Sequence, residues 1–532
     1  MRKGIFNIIF FSGCQKALLP LLLLFSTMLI TAQEKKMVEI LQAGVWEASE
    51  QIGPNATRLV DSVLIKHKEI LMWCDTAYTY STNNQVDAFG HVHIKQGDTL
   101  HLYSDAVMYD GDKNFARAWG NVVLKNKSTT IYTDTLDYDI EQNISYYDDS
   151  GKIVDSTTTI TSIIGKYFIN NDIIYLYRDV TGENEKFTLE SDTINYNTET
   201  GVINIQGPTT IRDSANTLYA EKGWYNSVTG EAELLKKPVI SNETQRISAK
   251  YIQYNKENQN GIATGNVIIT DTENQSIITG QWAEYNDNIG TALVTDSAVY
   301  MNYNESDTLF LHADTLRMVP DTLEGEKVVT AYYKVRFFRT NLQGIADSMA
   351  YFTHDSLIQL YTNPVIWSEI HQLSADYIEM KQYTDAPDEL RMIHNSFIIS
   401  KQDSGRYDQI KGKLMTGFIT NRKLTNIDVD GNGETLYYAR EKENIIGVNR
   451  AESSKIAITF KDGEVNRIIF LNKPEGQLKP LKDLTEEDKK LKGFDWKIYL
   501  RPLSKYDIFE QKTAAKKKEV TDKQKKADQS EN

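Results

Sequence analysis

The apolar positions of this chain recur on two scales. On the short scale they alternate. Ala88-Phe-Gly-His-Val-His-Ile94, Ala118-Trp-Gly-Asn-Val-Val-Leu124 and Ala263-Thr-Gly-Asn-Val-Ile-Ile269 share the form Ala-x-Gly-x-Val-x-aliphatic. Alternate residues of a strand face one side. The form therefore predicts strands with Ala, Gly, Val and Ile or Leu on one face, small at one end and bulky at the other. On the long scale a second phrase returns. Tyr109, Tyr138, Tyr167, Tyr196, Tyr225 and Tyr254 are spaced by 29 residues, and Tyr285 follows after 31. Seven positions before each tyrosine stands an aliphatic residue: Leu102, Ile131, Ile160, Leu189, Leu218, Ile247 and Ile278. Four positions before it, Asp105, Asp134, Asp192 and Glu221 carry a carboxylate.

Polar turn segments separate the two phrases, among them Asp110-Gly-Asp-Lys-Asn114 and Asn197-Thr-Glu-Thr-Gly201. The unit is strand, turn, strand, turn. No 3.6-residue period interrupts 75–300, which excludes a helical solenoid. Stacked units of this kind bury one another's faces, so none is stable alone. The regular period covers 75–300. A looser continuation follows in Ala313-Asp-Thr-Leu-Arg-Met318, Ala346-Asp-Ser-Met-Ala-Tyr351 and Ala375-Asp-Tyr-Ile-Glu-Met380. A further variant lies in 409–440, and Ile456–Phe460 with Val465–Phe470 reads as a terminal strand pair.

Composition sharpens this. Hydrophobic residues are 40% and charged residues 25%, so the chain can build a core. A length of 532 residues suggests about three domains, but the period makes most of it one repeated β unit. The 30 tyrosines and 10 prolines favour strands. A net charge of −14 argues against a general nucleic-acid binder. Arg2, Lys3 and Lys16 precede the apolar run Ala17–Ile30, which is shorter than the roughly 20 residues of a membrane helix. Residues 1–32 thus read as a secretory signal cut after Ala32, with an uncleaved N-terminal anchor as the alternative. Cys14 leaves with it, and Cys74 remains alone, expected as a small buried residue near the first strand. The mature chain is expected to hold 75–300, a second and less regular β region at 301–480 with the break near 300–345, and a lysine-rich, frayed tail at 504–532.

Candidate chemistry is sparse. Asp428-Val-Asp-Gly-Asn-Gly433 begins like a calcium loop, but Ala439 stands where the bidentate glutamate belongs, so a turn is expected. His91 and His93 share a strand face and His101 follows on the next strand. Three imidazoles can bind zinc, yet a solvated face is the preferred reading. The acid before each tyrosine is expected to cap turn amides. Because it recurs, it is not a unique catalytic pair. No catalytic residue, cofactor or metal is assigned, and no hydrolase, P-loop or dinucleotide fingerprint is present.

The two phrases together resemble the OstA-like family, the repeat of the lipopolysaccharide-transport proteins LptA and LptC and of the periplasmic part of LptD. The resemblance covers most of 75–440. It implies an all-β fold, a repeat-built, twisted β-jellyroll open along one side. We expect two consecutive jellyrolls, with one long jellyroll as the alternative, and no transmembrane barrel. It also implies a periplasmic protein, associated with outer-membrane assembly, whose apolar interior holds lipopolysaccharide acyl chains. Val92, Ile94, Leu102, Val122, Leu124, Ile131, Val267, Ile269 and Ile278 are the candidate groove wall. Implied partners are other Lpt-type jellyrolls, an LptD-like barrel and further copies of this chain, joined by strand addition. The chain is longer than a typical LptA and lacks the barrel strands of LptD. The competing readings are a secreted β-helix that degrades polysaccharide and an adhesive solenoid with a filled interior.

Overall fold

The polar turns reverse the chain, and each alternating segment pairs antiparallel with the one before and the one after. The computed structural model describes residues 37–509, apart from 54, 157, 287, 304–306, 322–325, 404, 422, 442–443 and 462–463. The signal expected at 1–32 and most of the tail lie outside the described residues. The 38 strands form one hydrogen-bonded sheet, with no α-helix among the described residues.

Most crossings of the sheet carry a corner near the middle. Strands Gln85–Gln96, Leu100–Asp110 and Phe115–Asn126 pair in regular register except between Phe89 and Val92, Tyr103 and Ala106, and Trp119 and Val122. At these shifts Gly90-His91 and Gly120-Asn121 are both left-handed, with φ of 77° and 47° and of 78° and 48°. Gly265-Asn266 does the same further along. An extra residue in one strand bends the ladder. Here the bend folds the sheet into two walls whose apolar faces meet.

This corrects one expectation. Alternation put Gly90 and Gly120 on the inner face beside Ala and Val. Instead Ala88, Val92 and Ile94 are buried while Phe89 (40% exposed), Gly90 and His91 lie outside, at the corner. Glycine serves the backbone there. A Cβ on Gly120 would also stand 2.6 Å from Asp105 Oδ2. The repeated acid is likewise a corner residue. Asn121 donates to Asp105 at 2.8 Å, and Asn395 donates to Asp376 at 3.0 Å. Glu221 pairs with Lys236 (2.8 Å) and Lys237 (2.7 Å), which hold its carboxyl down at about 2. Lys334 meets Asp314 at 2.8 Å. At these corners the acid bonds side chains of the bend, where turn amides had been expected.

Pairing continues through 300–345. Strands Thr291–Tyr303, Thr308–Pro320, Lys327–Arg339 and Leu342–Phe352 join in order, with corners at Asp296-Ser297 and Tyr333-Lys334. Cys74 is buried in strand Ile70–Tyr80, and burial pushes its thiol up to about 12.

Past the last strand, Glu475–Pro480, the chain runs back over the outer face as a strap. Buried glutamine amides clasp its backbone as another strand would. Gln409 donates to the Lys489 carbonyl and accepts from the Leu491 amide, both at 2.8 Å. Gln372 donates to the Asp495 carbonyl (2.7 Å) and accepts from the Lys497 amide (2.6 Å). Arg501 reaches Gln343 at 2.7 Å. Under the strap Phe397, Ile399, Leu436, Tyr438, Val448 and Leu491 form a second apolar cluster. Sequence periodicity assigned nothing to 481–503. At 504–509, expected as frayed, Ile508 is buried and Phe509 packs against His312.

Gly120→Ala is expected to cost about 2–3 kcal/mol, through strained backbone and the clash with Asp105. Gly97→Ala, also left-handed (φ 61°) but with open space around it, should cost about 1 kcal/mol. Urea denaturation of the two variants compares them. Equal losses would show that the corner does not depend on this clearance.

Candidate functional site

Cross-strand register places one apolar residue per crossing into a continuous interior row. Ile94 faces Leu102, Leu102 faces Leu124, and Leu124 faces Ile131. The row continues through Ile153 and Ile160, passes Gly182, and runs on through Leu189, Ile211, Leu218, Ile240 and Ile247 to Ile269 and Ile278. Val92, Val122 and Val267 lie beside the corner, on the same inner face. Of the nine candidate wall residues, Val92, Ile94, Leu102, Val122, Leu124, Ile131 and Val267 are only 1–2% exposed and share one apolar cluster. Ile269 and Ile278 are partly buried against it. Burial of each such side chain contributes roughly 1.5–3 kcal/mol.

The repeated tyrosines line the free edge of one wall. Each stands beside a smaller residue on the next strand: Ala116 beside Tyr109 and Tyr138, Ser145 beside Tyr138 and Tyr167. Their hydroxyls cross to the free edge of the other wall. Tyr109 meets His67 Nδ1. Tyr138 donates to Gln96 Oε1 at 2.5 Å, and Tyr196 donates to Asp155 Oδ2 at 2.9 Å. Asn126 Nδ2 donates to Tyr167 at 2.8 Å, and Asn216 Nδ2 donates to Tyr254 at 3.2 Å. His67, Gln96, Asn126 and Asp155 are themselves spaced by 29 or 30 residues. That polar period ends otherwise apolar strands. It was legible, and the sequence reading missed it because four different residue types share one role. Burial pushes the tyrosine hydroxyls up: Tyr109, Tyr138 and Tyr196 rise, and Tyr225 reaches about 12.

The three histidines do not gather around one point. His91 sits at a corner, 2.8 Å from Asp75. His93 Nε2 and His101 Nδ1 lie 3.0 Å apart, and His93 is stacked between Trp73 and Tyr103. Among the described residues no three His, Cys, Asp or Glu side chains gather to hold a metal. The calcium-like segment lies inside strand Lys423–Glu441, bent at Gly431-Asn432, with Asp430 paired to Lys455 at 3.2 Å. It is a strand corner, not a loop.

One buried acid stands apart. Asp408 follows Ser400 and His371 across neighbouring strands, and His371 Nδ1 meets Ser400 Oγ at 2.7 Å. Burial pushes the Asp408 carboxyl up to about 7, against the opposing pull of the Tyr438 amide, Arg440 and Gln402.

Tyr138→Phe and Tyr196→Phe should each cost about 1–3 kcal/mol, because each leaves a buried acceptor without its donor. Tyr132→Phe, 43% exposed on the outer face, should cost almost nothing; three equal denaturation midpoints would contradict the seam. Asp408 adds a pH dependence. Its carboxyl ionises near 4 when unfolded but near 7 when folded. The folded state therefore binds the extra proton between those values, and stability falls as pH rises through that window, by on the order of 2–4 kcal/mol. Asp408→Asn should flatten that slope in thermal denaturation between pH 4 and 8.

A family model described as OstA-like protein matches residues 35–192. No curated protein matches the chain. The OstA-like family is a transport and binding family, periplasmic in general. The match spans the strands in which the corner and the tyrosine seam are most regular, and residues 35–192 form an OstA-like domain.

Proposed function

We propose that this protein is a periplasmic carrier of lipopolysaccharide that shields acyl chains between its two walls on the way to the outer membrane. The observation that carries the reading is the interior row from Ile94 to Ile278. It places an apolar side chain between the walls at nearly every crossing, Gly182 being the exception. An acyl chain in water costs about 0.8 kcal/mol per methylene. An apolar lining between the walls removes that cost. Val92, Ile94, Leu102, Val122, Leu124, Ile131, Val267, Ile269 and Ile278 are proposed as its wall.

The two ends of the sheet support the proposed partners. Strands Glu39–Gln42 and Val45–Glu47 pair with Ala56–His67, and Leu41, Val45 and Trp46 are exposed there. At the other end Glu464–Leu471 and Glu475–Pro480 pair with Asn444–Lys461, and Leu471 and Leu478 are exposed. Open strand edges flanked by exposed apolar side chains favour strand addition by another jellyroll, an LptD-like barrel or a second copy.

A photo-crosslinking amino acid at Ile269 or Ile278 should capture lipopolysaccharide in cells. Adducts with protein alone at both positions would remove the carrier reading.

A further inference from the structure

The interior is not the same along its length. Between His67 and Tyr254 the edges of the two walls are tied by the tyrosine hydroxyls and their partners, and the space between is filled with side chains. Leu102, Leu124, Ile131, Ile153, Ile160 and Leu189 are all 1% exposed. An acyl chain has no room there unless the walls part.

Beyond Tyr285 the chemistry of the tyrosine edge changes. On the tyrosine edge, register puts Met318, Tyr351 and Met380 in the place of Tyr109 and its successors, with Ile358 where Ala116 and Ser145 stand earlier. On the opposite edge Asn302 and Arg339 keep the places of Gln96 and Asn126, and Leu309 and Leu342 those of Leu100 and Thr129. A methionine has no proton to donate, so Met318 and Met380 cannot tie the walls as the tyrosines do. The inward side chains here are partly uncovered: Ile278, Leu309, Leu342, Met349, Ile358 and Met380. Flexible, polarisable methionine suits an apolar guest of variable shape. A charged group stands at the same mouth. Arg339 ends its strand opposite Leu342, with Asp307 at 3.4 Å on its Nε side, while its buried Nη2 has no hydrogen-bond partner among the described residues. A buried guanidinium N–H left unsatisfied favours an anionic oxygen.

We propose that the molecule is divided into a closed half and a receiving half. The tyrosine seam shuts the interior over 67–254. The acyl chains of an anionic lipid enter between the walls only beyond it, among Ile278, Leu309, Met349, Ile358 and Met380, with the acidic head group on Arg339. The proposal rests on the carrier reading above and narrows it to these residues. It moves the binding stretch away from Val92, Ile94, Leu102, Val122, Leu124 and Ile131, which become the packed core of a spacer.

Two measurements test it. In a Cys74→Ala background, single cysteines at Ile358 or Met380 should react with a small maleimide at least tenfold faster than cysteines at Leu124 or Ile131. Adding Tyr138→Phe and Tyr167→Phe should speed the Leu124 site and leave Met380 unchanged. Equal rates in the two halves would overturn the division, whatever the ligand is. In cells, a photo-crosslinker at Met380 should yield lipopolysaccharide adducts, and one at Leu124 should yield none. Comparable adducts at both positions overturn the division while keeping the carrier reading. Phospholipid adducts at Met380 alone keep the receiving half and discard lipopolysaccharide as cargo. No lipid adduct at either position overturns both. Arg339→Gln should reduce the Met380 adduct several-fold with the maleimide rate unaltered; an unchanged adduct would remove Arg339 from the head-group site.

Discussion

A long antiparallel sheet has two faces, and water reaches both unless the sheet is folded onto itself. The corner solves this problem for every crossing. Two successive left-handed residues, Gly90-His91, Gly120-Asn121 or Gly265-Asn266, let one strand serve both walls, so its two halves bury each other. The acids at the bend, Asp105, Glu221 and Asp314, hold it from outside. Burial of Ile94, Leu102, Leu124 and Ile131 follows from this fold-over, since neither wall has an apolar partner without the other.

Once the walls face each other, their free edges decide what the interior can do. A tyrosine hydroxyl bound to Gln96, Asn126 or Asp155 makes the edge dry and shut. The low dielectric of that seam strengthens each bond and makes breaking it costly. Where Met318 and Met380 stand in place of the tyrosines, the same two walls enclose an apolar space without that lock. One repeat unit can therefore be a structural spacer or a receiving surface, according to a single edge residue per crossing.

The strap adds a second layer over the later strands only. Gln343, Gln372 and Gln409 are buried polar residues that an exposed sheet face would not need, and their amides bind a chain that returns from far along the sequence. With Phe397, Ile399 and Leu436 covered in this way, the later wall is stiffened from outside where its inner edge is untied.

The 29-residue period, the inward aliphatics and tyrosines and the all-β class were legible in the sequence, because strand alternation and repeated turns depend on neighbours a few residues apart. Alternation misjudged Gly90 and Gly120, since a bend that breaks the period of two looks like part of it until the backbone is seen. Val92, Leu124 and Ile131 were recognised as inward. Whether an inward side chain is sealed or uncovered depends on residues some forty positions earlier, on the other wall, as Tyr138 depends on Gln96. The strap depends on separations of 80 to 158 residues, as between Gln409 and Lys489 or Gln343 and Arg501. Local spacing set which residues enter the interior; contacts between distant strands decided which parts of that interior stay closed.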